Sequence, residues 1–157
     1  MDFRERYIQL SVFDRLTTDD DAGVLGGRAN DIAVVRRAVL RDVENLLNTR
    51  RSMRAPAQGF RHLNDSLYAY GLADFVSQNP KSPIVRRALK TGIEETIARF
   101  EPRLVNVTVA FNPRDDNAHS LCFSVRATLY ADPVQEPICF DTWLSVDRGE
   151  CRIDNVK

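Results

Sequence analysis

The sequence predicts an α+β domain: two amphipathic helices plus a short helix, packed on an antiparallel β-meander of three to four strands. Three observations predict it. Apolar residues recur at the helical period as far as Phe100 and at period two from Leu104 onward. The strand-like segments follow one another through short polar turns, as a meander does. A sheet with one apolar face needs a cover, and the helices preceding it carry matching stripes.

Residues 1–30 read as an N-terminal arm and loop. "SVFDRL" is a short apolar turn, and "TTDDDAGVLGGRAND" after it is too acidic and glycine-rich to bury a continuous face. Residues 31–157 form the domain. A first helix over about 31–47 buries Val35, Val39, Val43, Leu46 and Leu47, with Asn30 or Asp31 as its cap. A basic loop with Pro56 and Gly59 leads to a short bracing helix, where Leu63, Leu67 and Tyr70 share a side and Gly71 is the stop. Ser82 and Pro83 open a second long helix over about 83–100, with Ile84, Ala88, Leu89, Ile93 and Ile97 assigned to one face.

In the first strand Val105, Val107, Val109 and Phe111 alternate with Asn106, Thr108 and Ala110. Leu121, Phe123, Val125, Ala127 and Leu129 mark the second, and Ile138, Phe140, Thr142, Leu144 and Val146 the third. A short fourth strand runs around Cys151 to Val156.

The chain has 157 residues, 43% of them hydrophobic, which is about one ordinary domain with one core. Lys+Arg and Asp+Glu number 22 each, so no overall positive field points to nucleic acid or an anionic membrane. Recognition must be local. Lys81, Lys90 and Lys157 are the only lysines, and the arginines that replace them suit fixed pairing with carboxylates. No apolar run reaches the roughly 20 residues of a membrane span, and "MDFRERYIQL" lacks a signal-peptide core, so a cytosolic location is expected. Cys122, Cys139 and Cys151 are odd in number and lie in strand-like segments, where half-buried thiols are expected rather than disulfides or a metal clip.

Between the second long helix and the first strand stand Glu101, Pro102 and Arg103. Proline disfavours an α-conformation in the residue before it, so the helix should stop near Phe100 and Glu101 should be extended. Residues two apart on extended chain point the same way, which makes Glu101 and Arg103 a dipolar fork of fixed spacing. Two readings stand: a docking fork for a partner, or a local cap in which Arg103 serves the last helix carbonyls and pairs with Glu101.

Four motifs carry a family resemblance. They are Val12-Phe13-Asp14-Arg15-Leu16, Leu46-Leu47-Asn48-Thr49-Arg50, Tyr70-Gly71-Leu72-Ala73-Asp74 and Phe100-Glu101-Pro102-Arg103-Leu104. In that order, and over about residues 11–147, the chain resembles the TssE-like baseplate components of type VI secretion systems, which are related to wedge proteins of contractile-phage baseplates. Val12 replaces the usual leucine and Ala73 the usual proline.

The resemblance implies a small structural α+β protein of the cytoplasmic baseplate, near the inner membrane. It implies contact with the helical core bundle of the wedge and with other baseplate subunits (TssF, TssG, TssK), beside the first ring of the contractile sheath (TssB/TssC). A role in starting sheath assembly follows. It also gives Glu101, Pro102 and Arg103 a part in docking. Arg50 is expected either to shape that surface or to brace the Glu101 corner, or simply to be a helix C-terminal cation. Phe13 and Leu16, with Val12, read as a second anchor for a partner groove, or as packing onto their own domain. Free strand edges offer a third mode of contact. A regulatory protein-binding module on the same fold is a further alternative.

A lysozyme-like peptidoglycan hydrolase is the enzymatic alternative, and the residues disfavour it. Such chemistry usually needs two carboxyl groups across the bond, one kept protonated, whereas a guanidinium two residues from Glu101 favours the carboxylate. Glu94 and Glu95 diverge by about 100° on a helix and read as a solvated face. His62 and His119 lack a nucleophile context. Asp19-Asp20-Asp21 falls short of a calcium loop because Asn30 stands where the closing glutamate belongs. "GVLGGRAND" lacks the lysine and spacing of a phosphate loop, and the pairs Arg36-Arg37, Arg50-Arg51 and Arg86-Arg87, interleaved with acids, read as solvated helix faces. No metal or cofactor is expected.

Overall fold

The structure, a computed structural model, describes residues 28–52, 61–75, 78–79, 82–112, 120–131, 134–145 and 148–154. Pro56, Gly59, His119, Val146, Val156 and the arm with Phe13 and Leu16 lie outside the described residues.

Helix α1 spans Arg28–Asn48 and buries the five expected positions Val35, Val39, Val43, Leu46 and Leu47. It starts before Asn30 and Asp31, which sit inside the helix rather than capping it, since Arg28 and Ala29 are themselves strong helix formers. The bracing segment is a single turn, α2 (Arg61–Asn64), then a 3-10 turn at Leu67–Ala69. Its expected stripe is not the buried side: Leu67 is 85% exposed, while Ala69 is buried. Ser66 caps the 3-10 turn by accepting a hydrogen bond from the Tyr68 N–H.

Helix α3 spans Pro83–Phe100 with Pro83 in its first turn, and buries Leu89, Ile93, Thr96 and Ile97. Ile84 and Ala88 do not belong to that face, and Ile84 is 81% exposed. At about 100° per residue Ile84 lies roughly opposite Ile93, so the five residues never shared one side.

Strands β1 (Leu104–Phe111), β2 (Ser120–Ala131), β3 (Val134–Ser145) and β4 (Glu150–Asp154) form one antiparallel sheet in the order β1-β2-β3-β4. This is the predicted meander, with all four strands. Strand β1 departs from simple alternation. Asn106 has φ 56°, and the register against β2 gains one residue between Val105 and Thr108, which is a β-bulge. Leu104 therefore takes the buried position, Val105 turns outward, and Val109 resumes the inner face.

The core joins the α1 and α3 stripes to Phe123, Val125, Leu129, Ile138 and Phe140 of the sheet. Cys122 and Cys151 are buried and Cys139 is half-buried, and none of the three is in a disulfide. No helix of the described residues is long and apolar enough to cross a membrane.

Candidate functional site

Helix α3 ends where Pro102 demands. The Glu101 N–H still donates to the Ile97 carbonyl at 2.8 Å, but Glu101 has left helical geometry (φ −123°, ψ 80°). The chain does not then run extended. The Leu104 N–H donates back to the Glu101 carbonyl at 3.0 Å, closing a tight turn with Pro102 at its exposed tip. A proline fixed near φ −65° suits the first central position of such a turn, which is why the expected extended geometry gives way.

The turn brings Glu101 and Arg103 together all the same. Arg103 Nε and Nη2 donate to Glu101 Oε1 and Oε2, each at 2.6 Å, and its backbone N–H lies 3.3 Å from Oε1. This is bidentate, charge-assisted pairing. Arg103 Nη2 also donates to Asp42 Oδ2 of α1 at 2.6 Å, and Arg41 donates to the other Asp42 oxygen at 3.2 Å. The Arg103 guanidinium thus clamps the start of the sheet to the middle of α1. The Arg103 backbone carbonyl accepts from the Tyr130 N–H at 2.8 Å, tying the corner to β2 as well.

The electrostatics follow from this arrangement. The hydrogen bond to Glu101 raises the Arg103 pKa most, burial opposes it, and Asp42 raises it further, so the guanidinium stays charged. Tyr70 lies against the same site, its ring edge-on to Phe100 with centroids 5.3 Å apart. Burial, then the charges of Asp42 and Glu101, push its phenol above the ordinary value. The Glu101 side chain is only 6% exposed, against 29% for Arg103. Glu101 therefore faces inward; Pro102 and the flank of Arg103 face solvent, beside the exposed Val105 and Tyr130.

The other motifs are placed by backbone bonds. Leu72 N–H donates to the Thr49 carbonyl (2.8 Å) and Arg51 N–H to the Leu72 carbonyl (2.9 Å), so the end of α1 and the Tyr70–Asp74 segment form a short parallel bridge. Gly71 makes it possible. It has φ +103°, and a Cβ there would lie 2.4 Å from the Thr49 oxygen. Arg50 does not brace the Glu101 corner: it faces Asp74 at 3.8 Å, over an apolar groove whose lining includes Leu47, Leu72 and Phe75.

Four residues have roles here that the sequence did not reveal. Asp42 was not singled out, although at about 60° from Val39 around the helix it flanks the apolar stripe, an uncommon place for an unpaired acid. Asn48 acts as a surrogate strand, donating to the Cys151 carbonyl at 2.9 Å and accepting from its N–H at 2.6 Å along the outer edge of β4. Glu94 is not merely solvated; it accepts from the Val109 N–H of edge strand β1 at 2.8 Å, with Lys90 beside it. Arg36 likewise leaves its expected solvated face to pair with Glu136 of β3. Among the described residues no cluster of three His, Cys, Asp or Glu side chains is arranged for a metal.

Residues 33–134, which include the corner and strands β1 and β2, match the family model described as baseplate wedge protein gp25. The chain belongs to the baseplate wedge protein gp25 family. The resemblance drawn from the motifs is thereby borne out, three of them lying inside the matched residues and meeting around Tyr70 and Thr49. A chain in a solved structure of the baseplate complex from the type VI secretion system is similar at 18% identity, over 71% of this chain and 94% of that one, with a TM-score of 0.47. No curated protein matches. Within the gp25 family frame, the clamp is the helix-to-sheet corner of a wedge domain.

Proposed function

We propose that this protein is a non-enzymatic structural component of a type VI secretion baseplate on the cytoplasmic side. It docks on the helical core bundle of the wedge and helps start sheath assembly. Family membership supports the baseplate role. One observation carries the docking role: the Arg103 clamp immobilises an exposed corner made of Pro102, Arg103, Val105 and Tyr130. In this reading Glu101 is a positioning residue. It holds the guanidinium plane, and the partner meets the solvent flank of Arg103 with the apolar residues beside it. Specificity comes from fixed geometry, as expected for a bidentate site.

Sheath initiation has its own support in the sheet. Strand β4 pairs only with Asp141–Ser145 of β3, so among the described residues no strand covers the outer edge of β3 from Val134 to Phe140. Pro137, which has no N–H to leave unpaired, sits in that stretch, as edge strands allow. A sheath strand adding there would gain main-chain hydrogen bonds without displacing any described strand.

The hydrolase alternative has little to work with, since both oxygens of Glu101 are held by Arg103 and the nearby Asp42 shares the same guanidinium. The test is co-purification with the cognate wedge subunits for wild type, Glu101→Ala, Arg103→Ala and Tyr130→Ser, with circular dichroism and melting as folding controls. Tyr130→Ser, outside the clamp side chains, is expected to stay folded and lose the complex. Normal binding by all folded variants, or cell-wall turnover by the purified protein, would overturn the proposal.

A further inference from the structure

We propose that a polar cleft between the Arg50–Leu72 bridge and the second half of α3 receives the carboxylate of an aspartate or glutamate side chain from a partner protein. The cleft holds about 60 Å³, room for a few waters or one carboxyl group. Two guanidiniums line it. Arg51 is exposed, and no described residue pairs with its side chain. Arg99 faces Asp65 at a loose 3.9 Å, and the Asp65 side chain is 69% exposed. Water screens such a pair, so it yields readily to a better-aligned acceptor.

Two residues of α3 in this cleft have no account in the packing. Thr96 is 6% exposed, and no described residue bonds its hydroxyl. A buried hydroxyl without a partner costs stability, and a ligand oxygen that accepts from it recovers that cost. Gly92 sits in the helix interior, where glycine is less stable than alanine. Packing does not require it: outside its own helix, a Cβ there would meet nothing closer than the Phe75 ring, at an ordinary 3.8 Å. What the missing methyl keeps open is the cleft. Charge then selects the occupant. Glu95 also lines the site, so two arginines and one glutamate leave one net positive charge, which a carboxylate balances and a phosphate dianion exceeds. Leu72 and Phe100 complete the walls and suit the methylene stem of a side chain better than a hydrated free ion. The site does not rest on the docking role proposed for the Glu101 corner, and it is tested on the isolated full chain, so the two fail separately.

The experiment titrates the isotope-labelled chain with N-acetyl-glutamate methylamide, its glutamine counterpart, acetate and sulfate at neutral pH and constant ionic strength, following backbone amides by NMR. Saturable shifts at Leu72, Ala73, Gly92 and Thr96 are expected with the glutamate probe and none with the glutamine probe, while acetate, which lacks the stem, binds several-fold more weakly. Arg51→Gln and Arg99→Gln should each weaken the glutamate probe about tenfold and Thr96→Val several-fold, whereas Arg87→Gln, at an exposed arginine of α3 outside the cleft, should change nothing. Gly92→Ala should raise Tm by about 2–4 °C and still weaken the probe, a combination that a merely structural glycine would not produce. No saturable shift at these amides, an equal response to the glutamine probe, or tighter binding of sulfate or acetate would each overturn the assignment. So would unchanged binding in folded Arg51→Gln or Gly92→Ala.

Discussion

Replacing Arg103 by methionine keeps much of the side-chain volume and removes the guanidinium, which isolates what the clamp contributes. Glu101 would then keep only the long 3.3 Å bond from the backbone N–H of residue 103, in a site where its side chain is 6% exposed, and Asp42 would lose a 2.6 Å contact. Removing one partner of a buried ion pair costs about 3–5 kcal/mol, because the remaining charge stays desolvated. Arg103 is 29% exposed, so water can reach part of the site and the cost is discounted below that range, to about 2–3 kcal/mol. For a chain of this size that corresponds to a Tm loss of roughly 4–12 °C. Urea unfolding followed by circular dichroism measures it directly. The companion is Glu101→Gln/Arg103→Met, in which neither charge is left alone; it should be more stable than Arg103→Met by about 1–2 kcal/mol. A cost below about 0.5 kcal/mol for Arg103→Met, or single-variant costs that simply add in the double variant, would refute the clamp as an energetic unit.

Asn48→Ala removes both bonds to the Cys151 backbone and should cost about 1–3 kcal/mol, with faster amide exchange at Cys151 as the local signature. Gly71→Ala places a methyl 2.4 Å from the Thr49 oxygen at φ +103°, so it should cost more than about 2 kcal/mol and open the Arg50–Leu72 bridge; a melt within 2 °C of wild type would contradict this. Burial, aided by Glu44, pushes the Cys151 thiol up from 9.0 to about 12. A pKa raised on folding gives stability that is complete below 9.0 and lost as pH climbs toward 12. Denaturation at pH 8 and pH 10.5 should therefore differ by up to about 2 kcal/mol in wild type and by less in Cys151→Ala.

Most of the architecture was legible because it rests on period and on stop signals. The α1 stripe, the limits of α3 and the alternation of β2 and β3 all follow from residue spacing, and each is borne out. The misreadings share a cause. Ile84 and Leu67 are apolar, yet Ile84 lies about 180° from Ile93 around the helix and Leu67 falls in a 3-10 turn, so apolar character alone did not place either on the buried side. The bulge at Asn106 inserts one residue, and a two-residue period downstream cannot reveal a shift upstream. At the corner, residue types and stop were legible and the turn was not. Asp42 escaped because it lies 61 residues from Arg103, a pairing only the packed helix could reveal.

The clamp changes how loss-of-function at this corner is to be read. Because the bonds that orient Arg103 also join α1 to the sheet, a Glu101 or Arg103 variant alters folding and presentation together, so loss of a partner in such a variant does not by itself identify a contact residue. The separation has to come from outside the network. Val105 and Tyr130 are 40% and 47% exposed and lend no side-chain bond to the clamp, so their loss subtracts surface from a corner whose geometry persists. Asp42 supplies the opposite control: it supports the guanidinium from α1 while standing off the turn itself, so Asp42→Asn weakens orientation and leaves the exposed residues unchanged. If docking depends on fixed geometry, Asp42→Asn weakens binding in proportion to the freedom it gives Arg103. If it depends only on apolar surface, Tyr130→Ser is the damaging change and Asp42→Asn is silent.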